Sequence, residues 1–288
     1  MTRRGLTASI VGVFAAILAA CSPLTVYNAL GPRDPTARQA HDIAYGSMPR
    51  QKLDIYAPLQ TGGAAPVLVF FHGGTWNSGR RQDYAFIGQA LASRGFVTVI
   101  PDYRLVPEVR YPTFLQDGAA AVRWARDHAA EYGGDPRRIV LVGHSAGAYN
   151  AMMLALDGEF LKAVGVDPAA IKAVAGLSGP YNFLPLNVPW TIAAFSGYPD
   201  LPATQPINYA SAASPPAFLA HGDKDTLVSP QNTIALGRKL EQAGATVEVK
   251  LYPGLHHPDT ALALSRLYRS QAPVLDDMTA FLKAHAAE

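Results

Sequence analysis

Along most of this chain, short and almost wholly apolar runs alternate with longer stretches whose apolar positions recur at helical spacing. The runs at 67–71, 96–100, 139–142, 173–177 and 217–220 are nearly continuous Val, Ile, Leu, Phe and Ala, flanked by Pro, Gly or polar residues. A strand reads this way when both of its faces are buried. The run at 247–251 alternates apolar and charged positions instead, which predicts a strand near the sheet edge with one solvated face. Between the runs, the spacing predicts helices over 84–93, 112–132, 146–156, 230–243 and 273–285. In the second of these, Phe114, Leu115, Ala119, Val122 and Ala125 fall on one helical stripe. Regular alternation of strand and helix predicts an α/β fold, with a mostly parallel sheet and helices on both faces.

Two segments depart from this rhythm. Between 179 and 216 no period persists, prolines are frequent, and Tyr181, Phe183, Trp190, Phe195, Tyr198 and Tyr209 accumulate. A long irregular segment is usually functional or disordered. The aromatic content favours order, and the segment is read as a short cap insertion over a site. The second departure is at the start. Arg3 and Arg4 precede an apolar stretch from Ile10 to Ala20, which is the pattern of a signal peptide and too short for a comfortable membrane span. The ending Leu18-Ala19-Ala20-Cys21 resembles a bacterial lipobox, whose cysteine is lipidated and becomes the first mature residue. The division expected is therefore a signal peptide over 1–20, a tether and entry loop over 21–50, and the folded domain over 51–288. A lipid anchor on Cys21 in the bacterial cell envelope, at the outer membrane or the periplasmic face, goes with it.

Composition narrows the function. The chain has 288 residues, enough for one large α/β domain. Lys and Arg number 24 against 22 Asp and Glu, with no basic run, so a nucleic-acid partner is not expected. A single cysteine forms no intramolecular disulfide and no cysteine metal cluster.

Four motifs follow strand-like runs. Gly143-His144-Ser145-Ala146-Gly147 fits the G-x-S-x-G pattern, which arises by chance in about one chain in ten of this composition. Its context raises it: an apolar run enters and a predicted helix leaves, as a nucleophile elbow requires. Ser145 is then the nucleophile, and Ser178 in Gly176-Leu177-Ser178-Gly179 lacks the second spacing. His72-Gly73-Gly74-Thr75-Trp76 follows the run at 67–71 and reads as an oxyanion loop. The expected donors are the N–H groups of Gly74, Thr75 and Ala146, each contributing on the order of 3 kcal/mol to kcat. Gly73 stays open as an alternative to Thr75. His221-Gly222-Asp223-Lys224-Asp225 follows the run at 217–220 and offers a carboxylate to fix the base; Asp225 suits the position, and Asp223 reads as a turn-former. Finally, His256 and His257 follow the edge run, and His257 is favoured as the base. The order Ser, Asp, His is the one the hydrolase elbow uses.

These residues, with Pro101-Asp102-Tyr103-Arg104-Leu105-Val106-Pro107-Glu108, Tyr111-Pro112, Gly134-Asp135-Pro136-Arg137-Arg138-Ile139 and Ser214-Pro215-Pro216, resemble the α/β-hydrolase superfamily. Within it they are similar to bacterial carboxylesterases of the hormone-sensitive-lipase and feruloyl-esterase-like branch. The resemblance runs from about Lys52 to the C-terminus. It implies hydrolysis of a small-molecule carboxylic ester, short-chain or aryl, through an acyl-enzyme and with no cofactor. Thr75-Trp76 stands where the lipase-like branch has a third glycine, which is closer to the feruloyl-esterase-like and arylformamidase-like proteins. An amide hydrolase of the arylformamidase type is the alternative within catalysis, and a non-catalytic envelope binding protein the alternative outside it. Asp102-Tyr103-Arg104 reads as a support for the oxyanion loop. His41, His128, His144, His221 and His285 are scattered, without metal-ligand spacing.

Overall fold

In chain order, helix α1 (Pro23–Leu30) leads into strands β1 (Arg38–Ala44), β2 (Lys52–Ala57) and β3 (Ala65–Phe71), then α2 (Ala85–Ser93) and β4 (Val97–Pro101). Next come α3 (Thr113–His128), β5 (Gly134–His144), α4 (Ala146–Leu156), α5 (Glu159–Ala163), β6 (Ile171–Leu177) and α6 (Pro189–Phe195). The chain ends with β7 (Ala217–Gly222), α7 (Gln231–Gln242), β8 (Val247–Tyr252), α8 (Asp259–Leu262) and α9 (Val274–Ala286). The structure, a computed structural model, describes residues 23–36, 38–59 and 62–287. The signal segment read over 1–20 and Cys21 lie outside the described residues.

Among the described residues the strands form one eight-stranded sheet in the order β1-β2-β4-β3-β5-β6-β7-β8. β2 is antiparallel to both neighbours, and the six strands from β4 to β8 are parallel. This is the α/β-hydrolase fold. The continuous apolar runs follow from burial on two sides. Val67, Val69 and Phe71 of β3 join one core layer with α3, α4 and α7, while Leu68 and Phe70 join the other with α2 and α9. Successive side chains of a strand point to opposite faces, so a strand covered twice has no polar position to spare. β8 lies at the edge and alternates in exposure, as its charged positions predict.

The tether expected over 21–50 is corrected. From Pro23 the chain forms α1, whose Leu24 and Tyr27 are buried, and then the edge strand β1. Asn28 clasps the body of the protein: its side-chain amide donates to the Gln82 carbonyl, and its oxygen accepts the Phe86 N–H at 3.2 Å. The folded unit therefore begins well before residue 51. The predicted helix over 112–132 is also shorter, because α3 ends at His128 and a 3₁₀ turn continues to Tyr132, where Gly133 at φ 82° stops it. In the segment 179–216, α6 and two 3₁₀ turns at Pro202–Thr204 and Pro206–Tyr209 are the only regular pieces described. Tyr181 and Phe195 are fully buried there, so the aromatic residues hold the segment down by packing.

Candidate active site

Loops after β3, β5, β7 and β8 meet at the C-terminal edge of the parallel strands, where ligands bind in open α/β sheets. β5 ends at His144 and α4 begins at Ala146, so Ser145 makes the turn between them. Its φ of 56° and ψ of −124° are strained for a residue with a side chain, at a cost of about 1–3 kcal/mol. The bend is tight. A methyl group on Gly143 would lie 2.1 Å from the Gly147 carbonyl oxygen, and one on Gly147 would lie 2.0 Å from that of Phe71. Both glycines of the motif are therefore required by close backbone approach.

The three polar side chains picked from sequence come together. His257 Nε2 stands 2.8 Å from Ser145 Oγ, and His257 Nδ1 stands 2.7 Å from Asp225 Oδ2. Asp225 Oδ1 accepts the N–H groups of Leu227 and Val228, each at 2.9 Å, and Oδ2 takes a further bond from His221 Nε2 at 3.0 Å. Burial opposes charge on this carboxyl. The bonds from His221 and His257 outweigh it and hold the group well below the ordinary carboxylate range. Asp225 is thus a fixed anion at neutral pH, able to orient an imidazole and stabilise its protonated form.

Two histidines without a catalytic reading in sequence turn out to brace the others. His221 Nε2 faces only acceptors, the Asp225 carboxylate and the Val228 carbonyl, so it carries the proton; Nδ1 accepts from Thr233 Oγ1 at 2.8 Å. His144 Nε2 faces the His257 carbonyl at 3.1 Å, and Nδ1 lies 3.3 Å from the Tyr84 hydroxyl. Tyr84 Oη in turn accepts the Gly73 N–H at 3.1 Å. A series of bonds thereby ties the glycine loop to the loop carrying His257. Burial, and then the neighbouring His257, push His144 down to about 3, so the ring stays neutral at ordinary pH.

The same bonds distinguish the N–H groups of the glycine loop. The Gly73 N–H is engaged by Tyr84, whereas those of Gly74 and Thr75 meet no acceptor among the described residues. Ala146 opens α4, where the N–H has no intrahelical partner. The loop holds Thr75 at φ 51° and Trp76 at φ 58°, both unfavourable for such residues. Trp76 offsets this by full burial: its Nε1 donates to Asn150 Oδ1 at 3.1 Å, and its ring packs edge-on against Tyr149 and Phe195. Beneath the loop, Tyr103 stacks on His72 and donates to its carbonyl at 2.8 Å. Asp102 pairs with the buried Arg81 and lies 3.3 Å from His72 Nε2, close enough for attraction but poorly aligned for a hydrogen bond. Asp102-Tyr103-Arg104 is thus a support, with Arg104 gripping buried Asp117 through two nitrogens.

Rejected candidates sit elsewhere. Ser178 Oγ is buried against Thr260 Oγ1 at 2.9 Å, His256 is exposed, and Asp223 accepts the Gly254 N–H at 2.7 Å in a turn. Among the described residues no group of three or more His, Cys, Asp or Glu is arranged to hold a metal ion. Two cavities open onto Ser145. One of about 130 Å³ lies under the cap segment, and one of about 440 Å³ lies against the glycine loop and His257.

The BD-FAE family profile matches residues 53–240, about two thirds of the chain. The chain belongs to the BD-FAE family. This BD-FAE chain is 31% identical over 244 residues to a probable isoprenylcysteine alpha-carbonyl methylesterase of Arabidopsis thaliana, covering 76% of its own length and 51% of the relative's. It is 33% identical over 255 residues to esterase LipQ of Mycobacterium tuberculosis, covering 79% and 59%. It therefore spans between half and two thirds of the length of these curated relatives. Esterase B from Lactobacillus Rhamnosis superposes with a TM-score of 0.80 at 21% identity, over 99% of this chain and 96% of that one. That likeness bears on the fold of this BD-FAE chain alone.

His221, His144 and Tyr84 are the site residues that sequence reasoning missed. His221 carried a usable signal, since it lies near the end of β7, four residues before Asp225 in the loop that follows. Tyr84 and His144 carried none, being 60 positions apart.

Proposed function

We propose that this chain hydrolyses carboxylic esters, with Ser145 as nucleophile, His257 as general base and Asp225 as the anion that fixes it. The observation carrying this reading is the unbroken series Ser145 Oγ–His257 Nε2 at 2.8 Å and His257 Nδ1–Asp225 Oδ2 at 2.7 Å. His257 removes the hydroxyl proton as Oγ attacks the ester carbonyl. The resulting oxyanion is held by the N–H groups of Gly74, Thr75 and Ala146. His257 then hands its proton to the departing alkoxide, leaving an acyl-enzyme that water, deprotonated by the same imidazole, resolves. Curated relatives named as esterases support the reading. The test is release of p-nitrophenol from its acetate by the wild type and by Ser145→Ala. The variant is expected to lose roughly 10⁴-fold or more in kcat. Retention of most activity in the variant would contradict the assignment.

The location belongs to the same proposal. Arg3, Arg4, the apolar stretch to Ala20 and Leu18-Ala19-Ala20-Cys21 support a lipid anchor on Cys21 in a bacterial envelope. No helix among the described residues is long and apolar enough to cross a membrane. A fatty-acid probe fed to a bacterial host should label the wild type but not Cys21→Ser; equal labelling would remove the anchor.

A further inference from the structure

The two cavities that share Ser145 have different sizes and different walls. The cap-side cavity, about 130 Å³, is bounded by Trp76, Phe183, Val188 and Trp190. The larger chamber, about 440 Å³, is bounded by Leu24, Ser78, Asp83, Tyr84 and Pro258. Ser145, Thr75 and Leu227 line both and so form the partition between them. Leu227 is 47% exposed, yet its N–H is pinned to Asp225 at 2.9 Å, so this apolar side chain is held at the mouth.

The ester-hydrolase reading, on which this inference rests, decides which half of a substrate goes where. The leaving oxygen must come within reach of His257 Nε2 to receive its proton. His257 lines the larger chamber and is absent from the cap-side wall. We infer that the larger chamber receives the alcohol half and the cap-side cavity the acyl half. The preferred substrates are then short-acyl esters of bulky alcohols, and Leu24 of the N-terminal helix is an alcohol-specificity residue.

Size sets the acyl limit. An enclosed cavity of about 150 Å³ holds one benzene ring, so the cap-side space shelters an acyl group of a few carbons, and a longer chain must extend past its rim. The chamber is roughly three times larger and has room for a ring system. Its apolar side chains, Leu24, Tyr84, Leu227 and Pro258, favour an alcohol with a substantial apolar face. Asp83 is the one carboxylate among its lining residues and disfavours an anionic alcohol. Leu24 is fixed in this wall because α1 is clasped to the body through Asn28 and through Tyr27, which packs edge-on against Phe86 and Tyr268.

The test uses two substrate series on the chain carrying α1. The first series varies the acyl group from acetyl to octanoyl with p-nitrophenol as the alcohol. The second keeps the acetyl group and varies the alcohol from methyl to benzyl to naphthylmethyl, leaving groups of similar basicity. The wild type should lose about ten-fold or more in kcat/KM between butyryl and octanoyl while accepting naphthylmethyl acetate at least as well as methyl acetate. Trp190→Ala should recover about ten-fold on octanoyl esters and leave the ranking of the acetates unchanged. Leu24→Phe, which fills the chamber, and Leu24→Ala, which enlarges it, should reorder the acetates in opposite senses without changing the acyl ranking. If Trp190→Ala reorders the alcohols and the Leu24 pair reorders the acyl groups, the polarity is reversed and the inference falls. If the Leu24 pair changes neither ranking, its specificity role falls. Absence of hydrolysis throughout both series would instead remove the ester-hydrolase reading itself, and this inference with it.

Discussion

His144 shows how much of this site is held by residues that do no chemistry. Its ring bonds to neither Ser145 nor Asp225, yet it joins Tyr84 to the backbone of His257 and is closed off from water. Enclosure makes it a source of acid sensitivity. Its pKa is about 3 in the folded protein, against about 6.5 for an unconstrained histidine. Between those two values the unfolded chain holds a proton that the folded chain does not, so stability rises with pH across that window and is lost as pH falls. Asp225 acts in the same direction at lower pH: its depressed carboxyl stabilises the fold above the unfolded value near 4, and that contribution disappears below it. Urea unfolding at pH 7.5 and 4.5 should show the wild type losing several kcal/mol on acidification. His144→Gln keeps one donor and one acceptor and should lose distinctly less over the same span. Equal losses in both proteins would refute the assignment of this window to His144.

At the scale of elements, legibility followed burial. Helix α4 occupies the 146–156 span that the sequence predicts, because the elbow fixes its start and its apolar residues sit in a two-sided core. β3, β5 and β7 were legible for the same reason, and β8 by the alternation of an edge strand. β1 and β2 were not. β1 reads Arg-Gln-Ala-His-Asp-Ile-Ala, lies at the sheet edge and is mostly exposed, so it has no apolar run to find. In β2, buried Asp54 interrupts the pattern, and the guanidinium that meets it belongs to Arg81, 27 positions away. α1 was hidden among Pro, Gly and polar residues, its place decided by contacts with Gln82 and Phe86. The cap was legible as an irregular aromatic segment, while its packing was not. The candidate triad itself was readable because each member follows a strand, and strand ends converge in this fold. The bracing histidines were not, because what they do depends on partners that only the folded chain brings near.

Over the whole molecule, the sheet carries one core layer on each face and leaves its C-terminal edge for chemistry. Two parts outside the sheet close on that edge: the cap segment beside the small cavity, and α1 beside the large one. The N-terminal region is bound further along by Asp34, which pairs with Arg269 at 2.6 Å, so it belongs to the folded unit. A site walled in this way concentrates reactivity on one hydroxyl, reached only through the two cavities and set in a strained turn. The most direct test of that claim is to treat the native protein with a p-nitrophenyl alkylphosphonate and map the adduct by peptide mass. One phosphonyl group on the peptide containing Ser145, with parallel loss of esterase activity and no labelling of Ser145→Ala, is the predicted result. Labelling confined to another serine, or full activity in a protein modified at Ser145, would contradict it.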